Sequence, residues 1–133
     1  MPWQWPRAAG VPIENPLQWS MDEQNLDKIR RLMDQVQPEL PAAGQVEFKN
    51  VFGAVGGYVD GRIFISCGSF GVALRLPPES LSALFQEKDV EHLRYFPKGH
   101  IKKEYAVLPE RILEDSGRFR GLVNESVRYA RSS

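Results

Sequence analysis

Lys49-Asn-Val-Phe-Gly-Ala-Val-Gly-Gly-Tyr-Val-Asp-Gly-Arg-Ile-Phe-Ile65 is the stretch on which the fold turns. Asp60-Gly61 between two apolar runs is a strong hairpin signal. A two-residue type I′ turn needs positive φ at both central positions, which Asp tolerates and Gly prefers. The turn fixes a register by counting: Val59 faces Arg62, Tyr58 faces Ile63, Gly57 faces Phe64 and Gly56 faces Ile65. Large side chains opposite glycine can lie over bare backbone, so the glycines read as room for Phe64 and Ile65. A phosphate loop would lead from a strand into a helix N-terminus, and this stretch leads into a hairpin.

Outward from the hairpin, Val46-Glu-Phe48 alternates as a strand. Ser20-Met-Asp-Glu23 has the form of a capping box, and Leu26, Ile29, Leu32, Met33 and Val36 follow at helical spacing. The spacing predicts an amphipathic helix over 21–36, stopped by Pro38 and Pro41. Beyond the hairpin, Gly68-Ser69 makes a second turn, and Phe70, Val72, Leu74 and Leu76 alternate as another strand. Pro77-Pro78 opens a short helix over about 78–87. Two further strands are expected at 93–96 and 104–108, then a helical turn from Pro109 to Leu113. A last helix has Ser116 as its N-cap and Phe119, Leu122, Val123, Val127 and Ala130 on one stripe.

The chain has 133 residues, ordinary apolar (42%) and charged (26%) fractions, and 17 basic residues against 17 acidic ones. That size suits one domain with a real core, and zero net charge argues against a general polyanion binder. The charge is unevenly placed. Residues 1–93 hold 8 Lys/Arg and 12 Asp/Glu, net −4, whereas residues 94–133 hold 9 and 5, net +4. Residues 1–19 carry four prolines, all three tryptophans and only two charges. They read as an extended arm ahead of a single domain over 20–133, with Trp3 and Trp5 as candidate partner contacts. The single Cys67 excludes an internal disulfide, and no apolar run approaches the ~20 residues of a membrane span. The expectation is a cytoplasmic protein without a membrane role.

Enzyme signatures are missing. Two histidines and one cysteine give too few ligands for a zinc site, and no nucleophile or phosphate-loop motif occurs. Cys67 ends an apolar strand and reads as a buried, inert thiol. Neither a cofactor nor a catalytic residue is expected. The concentrated polar feature is 94–105, where Arg94, Lys98, His100, Lys102 and Lys103 interleave with aromatics. Together with Arg120, Arg128 and Arg131 of the last helix, these form a candidate nucleic-acid or anion-binding set. Solvated loop and helix faces account for the same residues without a ligand.

Phe52-Gly53, Gly56, Tyr58, Asp60-Gly61-Arg62 and Phe64 together resemble the opening signature of the TfoX/Sxy N-terminal domain family. Lys102-Lys103-Glu104-Tyr105, Val107-Leu108-Pro109-Glu110 and Leu113-Glu114-Asp115 are similar to its later stretch, so the likeness spans 46–131. The sequence departs from the pattern at Val51 (usually Met), Ala54 (usually a second glycine) and Gly57 (usually apolar). Nothing in it matches the family's second domain. The resemblance implies an α+β fold, an antiparallel sheet flanked by helices as in secretion-chaperone-like and YjbR-like domains, and the elements read along the chain give the order α-β-β-β-β-α-β-β-α. It implies a regulatory role linked to bacterial natural competence, exercised with the cyclic-AMP receptor protein at promoters, and it carries no catalytic residues. The expected partner is therefore a protein, with direct nucleic-acid binding as the alternative and a homodimer left open.

Overall fold

The computed structural model describes residues 20–37, 46–51, 53–94 and 98–132. The Pro/Trp-rich segment 1–19, with Trp3 and Trp5, lies outside the described residues, as do Tyr95 and Phe96. The elements follow the expected order: α1 (Met21–Val36), β1 (Val46–Val51), β2 (Ala54–Val59), β3 (Arg62–Gly68), β4 (Gly71–Arg75), α2 (Pro78–Leu84), β5 (Glu91–Leu93), β6 (Lys102–Leu108), α3 (Glu110–Glu114) and α4 (Ser116–Ser132). The six strands make one antiparallel sheet in the order β1-β2-β3-β4-β6-β5.

Local chemistry sets the helix ends. The Ser20 hydroxyl accepts from the Glu23 amide at 3.2 Å, which satisfies one orphan donor of α1. At the other end Gln37 takes the left-handed conformation, φ 45°, and its amide bonds Met33 O. For α4 the capping group is Asp115, whose carboxylate accepts from the Arg118 amide at 3.2 Å. Ser116, the residue expected to cap, is instead the first residue of the helix. Asp115 carries the same kind of acceptor one residue earlier.

The hairpin turn is as expected, with Asp60 at φ 50° and Gly61 at φ 79°. Its register is correct for Val59↔Arg62 and Tyr58↔Ile63 and then shifts: Gly57 pairs Ile65 and Gly56 pairs Ser66. Phe64 is the extra residue of a β-bulge. A strict alternation would send Phe64 and Ile65 to opposite faces. The bulge turns both into the core, where each has no exposed surface. The glycines still make room, for different neighbours. A Cβ on Gly57 would stand 2.6 Å from Ile65 Cγ2, and one on Gly56 would stand 3.0 Å from Ile63 Cδ1 and Tyr58 Cε1.

Every helix contributes to one cluster on one face of the sheet. Ile29 and Met33 of α1, Leu81 and Leu84 of α2, Ile112 of α3, and Phe119, Val123 and Val127 of α4 pack with Phe64, Ile65, Cys67 and Leu74. Burying such side chains supplies about 1.5–3 kcal/mol each. A buried polar group pins this cluster: Ser126 Oγ lies 2.6 Å from both Phe64 O and Arg75 O, so a fully buried hydroxyl ties α4 to β3 and β4 beside the bulge. The opposite face holds a smaller cluster of Ala73, Leu93 and Val107, flanked by Phe70 and Tyr105, with no helical residue in it among the described residues.

Candidate functional site

Antiparallel pairing decides which charges meet. Val46↔Val59, Val59↔Arg62, Arg75↔Tyr105 and Leu93↔Lys102 are pairs at the same end of the sheet, which we term the hairpin end. Arg62, Arg75, Arg94, Lys102 and Lys103 therefore gather there from three strands, β3, β4 and β6, and the exit of β5. α4 also finishes at this end: Arg131 Nε bonds Asp60 at 3.0 Å, and Arg62 Nη1 donates to Arg131 O at 2.9 Å.

The candidate residues divide by what holds them. Arg94 Nη1 donates to Gly99 O at 2.8 Å and folds 98–100 back on β5. Lys98, His100, Lys102 and Lys103 are exposed beside it, making one basic corner at the β5–β6 edge. Arg128 and Arg131 form a second group on the last turns of α4, where the carbonyl end of the helix dipole favours cations. Between the groups lies Arg75, paired with Glu104 at 2.6 Å and with its guanidinium 5.1 Å from the Tyr129 ring centre. Arg120 stands apart, eleven residues before Arg131 and so about 16 Å along the helix axis.

Two members of this end were not singled out from the sequence, Arg62 and Arg75. Arg62 had a usable signal, since it abuts the turn and must share its end of the sheet. Arg75 is brought in by pairing with β6, which local periodicity does not report. The chemistry available is electrostatic. Exposed ammonium and guanidinium groups can hold carboxylates or phosphates, while Asp60 and Glu104 already neutralise Arg131 and Arg75 in part.

The other end of the sheet is acidic and internally paired. Glu87 accepts from Arg118, through both carboxylate oxygens, and from Arg111 at 2.8 Å. Arg111 also reaches Asp89, its Nε at 2.6 Å. The Arg118 and Arg111 hydrogen bonds pull the Glu87 carboxyl from its ordinary 4.5 down to about 2, and Arg111 likewise holds Asp89 below its usual range. Beside this cluster a cavity of about 300 Å³ is lined by Phe70, Val107 and Leu113 and rimmed by Asp89, Glu91 and Glu110.

Cys67 has no exposed surface, and burial pushes its thiol from 9.0 up to about 11. Such a thiol is a weak nucleophile at neutral pH. His92 is stacked on Phe85, ring centres 4.1 Å apart. Among the described residues no three His, Cys, Asp or Glu side chains group as metal ligands, and no helix is long and apolar enough to cross a membrane.

Compared with known families, residues 39–130 match the model of the TfoX N-terminal domain, which covers most of the chain. No curated protein matches the chain.

Proposed function

We propose that this chain, which belongs to the TfoX N-terminal domain family, is a non-enzymatic regulatory module that works by contacting another macromolecule, a protein first of all. The family match carries this reading. The family's link to natural competence makes a transcription complex the class of partner. The exposed corner of Arg94, Lys98, His100, Lys102 and Lys103 supports a contact with an acidic surface, because its lysines are not buried in the fold's own packing. Affinity capture from native lysate is the test, run with the wild-type chain and a Lys102→Glu/Lys103→Glu variant side by side. A partner held by the first and released by the second is expected. Repeated failure to capture any macromolecule would count against the role.

A second reading is favoured by the same corner: direct binding of a nucleic acid. Neutralising even three phosphates would make affinity fall with salt at a log–log slope of about −2.7. Titrating a labelled DNA duplex at low and moderate salt checks it, and the double variant should lose most of the binding. Affinity indifferent to salt, or no binding at low salt, would remove this reading and leave the protein partner.

A further inference from the structure

The two edges of the sheet are unlike each other. β5, at one edge, is three residues long, and its pairing with β6 shifts register after His92. A short, bulged strand is a poor template for a further one. β1, at the other edge, runs six residues from Val46 to Val51, pairs β2 without a register shift and contains neither glycine nor proline. Among the described residues no strand lies on its outer side. α1 packs over β2 and β3, which leaves β1 at the margin of the helix layer.

Pairing with β2 fixes how β1 presents its backbone. Val51 and Ala54 flank a two-residue connection, so they exchange hydrogen bonds, and bonded pairs then alternate along the strand. Lys49 and Glu47 therefore bond β2, and the amides and carbonyls of Val46 and Asn50 turn to the outer side. Side chains alternate too. Lys49 stands in one cross-strand row with Ala73 and Val107, on the face away from the helices. Glu47 shares that face, and the two side chains are 61% and 55% exposed and 3.5 Å apart. Phe48 points the other way and packs, half-buried, against the main cluster.

We propose that β1 pairs antiparallel with β1 of a second copy of this chain, about a two-fold axis at Phe48, joining two six-stranded sheets into one. The charges select that register. With Phe48 opposite Phe48 of the second copy, Glu47 faces Lys49 of the second copy and Lys49 faces its Glu47. A centre one residue either way would set Glu47 on Glu47 or Lys49 on Lys49, and like charges directly opposite oppose pairing. The backbone suits the same axis. Val46 and Asn50 become reciprocal partners whose outward groups meet and exchange both N–H···O bonds. The charged pairs then fall at the alternate positions, where facing residues stand closer, Cα atoms about 4.5 Å apart. On the helix side the two Phe48 rings meet across the axis. Because the same strand serves both copies, the contact closes on itself as a dimer. A seam over residues 46–50 of each chain is small beside a standard interface, so the dimer is a weak one that forms at high protein concentration.

Sedimentation equilibrium of the full chain over a wide range of concentration should show the mass rising towards twice that of the monomer. Glu47→Lys and Lys49→Glu each put like charges across the seam and should weaken association about ten-fold. Both side chains are exposed, so the far-ultraviolet circular dichroism should stay native. Mixed in equal amounts, the two variants restore opposite charges at both positions and should associate as the wild-type chain does. Asn50→Pro is a second route: it removes an outward amide without touching a bond to β2, and should leave a folded monomer. A wild-type chain that stays monomeric at every concentration would overturn the proposal. So would a dimer that the charge variants leave intact, since the contact would then lie on another face. Variants that fail to associate when mixed would refute the register, and the proposal with it.

Discussion

The two ends of the sheet are closed by different forces. At the end where β5 begins and β6 finishes, the fastening is charge. Arg111 and Arg118 converge from α3 and α4 on Glu87 and Asp89, and four side chains join the loop after α2 to two helices. At the hairpin end α4 is held to the sheet by the buried Ser126 hydroxyl together with exposed contacts, Arg131 with Asp60 and Arg62 with Arg131 O. Guanidinium groups at the paired end are held bidentately by carboxylates, whereas Lys102 and Lys103 at the hairpin end are exposed. The same sheet therefore has one end whose charges are internally paired and another whose lysines are exposed.

The comparison can be broken most forcefully at Ser126. Ser126→Ala removes the hydroxyl that Phe64 O and Arg75 O share and should destabilise the domain by ~2 kcal/mol in a urea titration. A loss within error would mean that the Ser126 hydroxyl adds nothing to what holds α4. At the paired end, Glu87→Gln should cost less, ~1 kcal/mol, because solvent screens the partly exposed cluster. Its pH signature is more telling than its size. The Glu87 pKa is lowered in the fold, so the stability it contributes is present above about 4.5 and is lost as pH falls towards about 2. Acid titration of wild type and variant should therefore converge across that window, and parallel curves would show that the pairing contributes nothing. Smallest of all, Lys102→Glu/Lys103→Glu should change the unfolding free energy in urea by less than ~0.5 kcal/mol, since exposed strand-end lysines do little for the fold. A larger loss would place those lysines among the structural charges.

Legibility in the sequence followed the range of the physics involved. The Asp60-Gly61 turn, the Ser20 cap and the stripe of α4 are local, and each could be read from neighbouring residues. The bulge at Phe64 could not. It exists because the helices on one face offer burial to both Phe64 and Ile65, a demand that counting from a turn does not contain. The candidate cations show the same limit. Helical periodicity puts Arg120, Arg128 and Arg131 on one flank, yet says nothing of which end of the sheet each reaches. Strand pairing separates Arg120 from the others and adds Arg62 and Arg75.

Cys67 gains a use from where it stands. It sits beneath α1 and α4 with no exposed surface and a thiol that stays protonated at neutral pH. A thiol reagent added to the folded chain therefore waits for the helices to lift from the sheet, and its rate counts openings rather than collisions. The protein carries one built-in clock for the breathing of its core, and no second cysteine to confuse the reading.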